Sequence, residues 1–292
     1  MVVRRKGLEM IAYGAHAFVW IGDWTTQTGN YAIEQAAKTG FDFIEIPILR
    51  PAEFDAISHK KALEKYGIEA TFSLVLPKDS HMPEQPQKAK EFLFLALDKV
   101  AQTGSEYLGG CIAYSLGTLT GKAPSQAERD TVVETLKEVA DYAKERNIKL
   151  ALEACNRYET YLYNSLDDTA ETIKNVGKDN LFLHADTYHM NIEEEGFYNA
   201  LVDNGNLLDY IHMSESHRGL VGTGTVNWSE VWQGLADAKF TGKLVLESFA
   251  AINPDLAAAT CLWRPPNQGS EVLAKKGLAF LKQGAEKYQL GS

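Results

Sequence analysis

Short apolar runs alternate with amphipathic helical stretches along the whole chain, and the alternation repeats eight times. The strand-like runs are MIAYGAH (10–16), FDFIEIP (41–47), EATFSLVL (69–76), EYLGGCI (106–112), KLALEA (149–154), LFLHAD (181–186), YIHMSE (210–215) and KLVLESF (243–249). Helical periodicity fills the gaps, as in GNYAIEQAAKTG, QKAKEFLFLALDKVAQTG and SQAERDTVVETLKEVADYAKERN. Strand starts recur roughly every 25 to 45 residues, the spacing of βα units, which build parallel sheets with right-handed crossovers. Eight such units in 292 residues predict a single-domain (β/α)8 TIM barrel over 1–292, with no linker. An open doubly wound sheet is the other arrangement of such units. It carries a glycine-rich phosphate loop after its first strand, where this chain has AFVWIGDWTTQTGN. Gly40, Gly67, Gly104 and Gly242 stand between a helix and the next strand, where C-cap glycines are expected. Asn227 reads as the N-cap of NWSEVWQGL. The ends, 1–8 and 288–292, are expected to fray and are assigned no role.

Composition narrows the function. Hydrophobic residues make up 45% and charged residues 23%, an ordinary globular balance. No apolar run approaches the roughly 20 residues of a membrane span, and the N-terminal run is too short and polar for a signal-peptide core. A cytoplasmic protein without a membrane partner is expected. The net charge of −10 repels phosphate backbones, and no basic patch offsets it, so nucleic acid is not expected as a partner. Cys111, Cys155 and Cys261 are far apart in sequence and form no C-x-x-C pair. They read as buried or half-buried free thiols in a reducing compartment.

Catalytic residues of such barrels stand at the C-terminal ends of strands. The fifth to eighth runs end in Glu153, Asp186, His212 and Glu247. Any one of these alone reads as a salt-bridge or rim residue; four on consecutive strands, about 4.8 Å apart, point to one centre. Three carboxylates packed together repel strongly, and a divalent cation removes that conflict. Oxygen-rich ligation with one imidazole suits Mn2+, Mg2+ or Co2+ better than a structural zinc. Polar residues follow on the loops: Asn156, Arg157 and Glu159, then His189, then Arg218. Arg157 and Glu159 are close enough to pair with each other. Glu215 and His217 read as supports for the loop in YIHMSESHRGLVGTG. GTGTVN lacks the lysine and the context of a phosphate-binding loop.

Together, LEACNRYETYLYN, HADTYHMNIEE, HMSESHRGLVGTGTVNW and LVLESF resemble the ketose 3-epimerases. That group includes the D-tagatose, D-allulose (D-psicose) and L-ribulose 3-epimerases, within the xylose-isomerase-like barrels. The resemblance runs from about residue 10 to residue 263. It implies that Glu153, Asp186, His212 and Glu247 bind one divalent ion, Mn2+ first and Co2+ or Mg2+ next. It implies that Glu159, His189 and Arg218 hold the O1 to O3 end of a free ketose. It implies that Glu153 and Glu247 exchange the proton at C3 through a metal-stabilised cis-enediolate. Trp20 and Phe249 would line the rest of the sugar, with His16 where many members have a tyrosine. Ser214 stands where the family often has glycine, and 250–265 is a variable part of the pocket. The family commonly forms dimers or dimers of dimers, so a homodimer or homotetramer is expected. The same centre would serve an aldose–ketose isomerase, a keto-inositol dehydratase or a metal-loaded sugar-binding protein. A DNA-repair endonuclease on this barrel resembles a histidine-rich multi-zinc design, whereas this chain has 7 histidines and is acidic.

Overall fold

A computed structural model describes residues 11–291. Residues 1–10 and 292, and with them the expected frayed N-terminus, lie outside the described residues. Eight strands form one closed parallel barrel in chain order. They are β1 (Ala12–His16), β2 (Phe43–Pro47), β3 (Glu69–Val75), β4 (Tyr107–Cys111), β5 (Lys149–Glu153), β6 (Leu181–Asp186), β7 (Leu208–Ser214) and β8 (Lys243–Glu247). The seam joins β8 to β1, with Ala12 opposite Lys243 and Ala15 opposite Leu246. Seven of the eight predicted runs hold their strands; β7 starts earlier than its run, at Leu208. The strands are largely buried on both faces, as a sheet covered by helices outside and side chains inside requires; β2 is buried at every position.

Caps explain where helices begin and end. Thr25 with Thr28, and Ser125 with Glu128, form capping boxes at the helices Thr26–Thr39 and Gln126–Lys144. Gly40, Gly67 and Gly104 end helices in the left-handed conformation, with φ of 94°, 64° and 84°. Gly242 does not. The helix Trp228–Asp237 ends at Ala238, and Lys239 takes the positive φ of 54°. Gly242 instead packs against the backbone of Asp209, whose carbonyl oxygen would lie 2.1 Å from an added Cβ. Asn227 holds the N-cap position, but its side chain donates to Glu230 Oε1 at 2.7 Å and leaves the helix amides to others.

The main core lies between strands and helices. A second cluster, Phe43, Tyr107, Ala151, Tyr210 and Val245, plugs the barrel interior. Gly14 has no side chain because the Phe43 ring occupies that space, 2.1 Å from where a Cβ would sit. Among the described residues no helix is long and apolar enough to cross a membrane.

Candidate active site

Above the aromatic plug the interior turns polar. Glu153, Asp186 and Glu247 end β5, β6 and β8. His212 does not end β7, which continues to Ser214; the pairing sets Asp186 beside His212 and Ser214 beside Glu247. Convergence survives because barrel strands are staggered. Ligand atoms of Asp186, His212 and Glu247 lie within 4.8 Å of one another, as do those of Glu153, Asp186 and His189. His212 Nδ1 ties the two groups together, 3.8 Å from Glu153 Oε1 and 3.5 Å from Glu247 Oε1. All four side chains are buried.

Charge dominates this centre. At such spacing two carboxylates repel by about 4 kcal/mol at an effective dielectric of 20. Burial pushes Glu153 well above the ordinary carboxylate range, and Asp186 and Glu247 push the same way. Asp186 is raised to about 7, by burial first, with Arg218 pulling against it. Burial disfavours the charged form of His212, but Glu45 and then Glu247 outweigh it and push this imidazole well above its usual value. The one guanidinium in the group, Arg218, donates to Asp186 Oδ2 at 3.0 Å and to Glu247 Oε2. It lies 3.8 Å over the Tyr188 ring.

The other sequence-predicted residues fall around this ring. His189 Nδ1 accepts from the Asn156 backbone N–H at 3.1 Å. Its Nε2 lies 3.3 Å from Arg218 Nη2, 3.5 Å from Asp186 and 3.8 Å from Glu153. Glu159 is buried, accepts from Asn156 Nδ2 at 3.0 Å, and is raised to about 7 by burial, with Arg218 opposing. Arg157 does not pair with Glu159. It is exposed and clamps Glu193 at 2.8 Å, because the turn after β5 sends neighbouring side chains to opposite sides. Phe249 faces Arg218 at 5.1 Å and His16 at 6.3 Å. His16 Nδ1 accepts from Phe18 N–H at 3.1 Å, and its Nε2 turns to Glu45 Oε1 at 3.7 Å. The ring contact of Trp20 is with Phe41, edge-on at 6.0 Å; Phe18 is the aromatic beside His16 and Phe249.

Glu215 supports the loop, as the sequence suggests. Its carboxylate accepts from the backbone of Ser216, Gly222 and Val226 and from Trp228 Nε1, at 2.8 to 3.2 Å. Gly224 is required there: an added Cβ would meet Glu215 Oε1 at 2.5 Å. His217 is exposed and accepts from Gly219 N–H. It lines a cavity of about 760 Å3 with Tyr188, Thr223, Cys261 and Trp263. Of the cysteines, Cys261 is exposed, while Cys111 and Cys155 are buried with sulfurs 3.6 Å apart.

Glu45 and His184, both buried beside His212, escaped the sequence reading. Glu45 on β2 accepts from Tyr210 Oη at 2.6 Å and contacts His212 Nε2 at 2.7 Å. His184 on β6 packs edge-on to His212 at 4.2 Å and lies 3.8 Å from Glu153. Each had a signal. A glutamate inside the apolar run FIEIP is anomalous, and the two-residue strand period puts His184 on the same face as Asp186.

The xylose isomerase-like TIM barrel family matches residues 33–283. The L-ribulose 3-epimerase of Methylomonas sp. (strain DH-1) is 37% identical over 281 residues, covering 94% of this chain and 98% of that protein. The ketose 3-epimerase of Arthrobacter globiformis is 32% identical, covering 92% and 95%. The crystal structure of a Methylomonas D-allulose 3-epimerase in complex with D-allulose superposes with a TM-score of 0.90 at 36% identity, over 94% of this chain and 97% of that one.

Proposed function

Because the chain belongs to the xylose isomerase-like TIM barrels and, within them, to the ketose 3-epimerases, we propose that it inverts C3 of free ketoses at this centre. The observation that carries the reading is the approach of both Glu153 and Glu247 to His212 Nδ1, at 3.8 and 3.5 Å, from strands separated by β6 and β7. Relatives named for L-ribulose, D-psicose and D-allulose point to small ketoses as substrates.

The donor set fits a divalent cation. Three buried carboxylates crowd one imidazole whose Nδ1 has no hydrogen-bond partner, and oxygen-rich donors with one nitrogen suit Mn2+, with Co2+ or Mg2+ as substitutes. Glu153, Asp186, His212 and Glu247 would hold it, and it would supply a Lewis acid that acidifies the carbon next to the C2 carbonyl.

The side chains do the rest. One of Glu153 and Glu247 removes the C3 proton from one face, and the other returns a proton to the opposite face. The roles swap with direction, as a reversible inversion requires. Arg218 offers its buried and unpartnered Nε–H where charge grows on the sugar oxygens, with the His189 ring beside it. Glu159 accepts from a sugar hydroxyl, and Phe249 covers the apolar face.

The test is incubation of the Mn2+-loaded protein in D2O with D-fructose, D-allulose, D-tagatose and L-ribulose, followed by NMR. Deuterium at C3 together with the 3-epimer is expected. Label confined to C1 or C2 would indicate aldose–ketose isomerisation and sink the proposal, as would sugar binding without any exchange.

A further inference from the structure

Glu45 stands on β2 and His212 on β7, strands that are not neighbours in the barrel. Their contact crosses the barrel interior. The Glu45 carboxylate is fully buried, with Oε2 2.7 Å from His212 Nε2 and 2.6 Å from Tyr210 Oη. An ionised carboxylate only accepts. The His212 proton in this contact therefore sits on Nε2, because the other tautomer would oppose two lone pairs at 2.7 Å. With Nε2 committed downward, Nδ1 points up to Glu153 and Glu247 and has no other partner.

We infer that Glu45 is a positioning residue, which holds the ring and the Nε2 proton of His212 so that its Nδ1 is presented to the divalent cation of the site. This rests on the cation-centre reading above. Glu45 lies below the ring of carboxylates and shares the aromatic plug's hydroxyl, Tyr210, which is also bridged to Thr71 Oγ1 at 2.7 Å. A glutamine would satisfy Tyr210 as well as a glutamate does. A buried charge costs desolvation and is not needed for that tie. It is needed to make the imidazole a stronger donor toward a cation, the effect expected of a carboxylate behind a ligating histidine.

The experiment measures Mn2+ affinity of the full-length, chelator-treated protein by titration calorimetry, with Tm recorded for each variant. Glu45→Gln is nearly isosteric and is expected to weaken Mn2+ binding by about 10- to 100-fold, the usual range for such partners. Glu45→Asp should recover part of that loss. Tyr210→Phe removes the structural tie and leaves the imidazole bond, so it should lower Tm and keep Mn2+ affinity within about twofold of wild type. Wild-type affinity in Glu45→Gln, or an equal loss in Tyr210→Phe, would overturn the assignment while leaving the cation centre standing. A wild-type protein that takes up no Mn2+ would overturn the cation centre itself, and this role with it.

Discussion

Glu247 carries two demands that pull against each other. As the proton carrier of the proposed reaction it must change charge easily; as one of three crowded carboxylates it must share a neutralising partner. In the structure that partner is Arg218, which also reaches Asp186. Glu247→Gln keeps the shape and removes the exchangeable carboxylate. Turnover should fall by about 10²- to 10⁴-fold, the range for loss of a general acid or base, with folding intact by circular dichroism. Mn2+ affinity should be measured alongside, and turnover within a factor of a few of wild type would remove Glu247 from its assigned role. The strand-end carboxylates were legible because charged residues closing apolar runs stand out. Glu45 and His184 were harder to place, since which interior residue faces which depends on barrel stagger, and that stagger is a property of all eight strands.

The loop after β7 shows how one buried carboxylate can organise an element. Glu215 gathers four N–H groups from Ser216 to Trp228. The same turn sets Arg218 in the left-handed region, φ 58°, with its N–H on Glu215 O at 2.8 Å and its carbonyl accepting from Phe249 N–H at 3.1 Å. Arg218 is thus aimed from both sides. Glu215→Ala leaves several buried donors unmet, at about 1–3 kcal/mol each. A thermal melt should show Tm lower by about 5 °C or more, and turnover should fall at least tenfold as Arg218 loses its aim. Glu215→Gln should recover part of both; unchanged Tm and activity in Glu215→Ala would refute the loop's dependence on this residue. At this scale the sequence was readable for strands, helices and most caps. Gly242 was misread because a glycine before a strand looks the same whether it ends a helix or yields room to a neighbouring backbone.

At the scale of the whole molecule, the frame and the centre depend on different forces. Apolar packing between helices and strands, with the plug inside, holds the barrel. Removal of divalent cations by a chelator should therefore leave far-ultraviolet circular dichroism unchanged and abolish epimerisation. Added Mn2+ should restore turnover and raise Tm by linkage to binding. Full activity after exhaustive chelation would refute the cation centre. Eight repeats made the barrel readable from sequence, because eight βα units close a barrel and the turn after β1 lacks the glycine-rich loop of the dinucleotide-binding open sheet.

The seam has a consequence for how this catalyst is born. β8 carries Glu247 and hydrogen-bonds to β1, so the last barrel strand in chain order completes both the wall and the pair of glutamates to which we assign the proton exchange. The first seven strands hold Glu153, Asp186 and His212 but lack the seam and Glu247. Under that assignment, closing the seam and completing the site are one event.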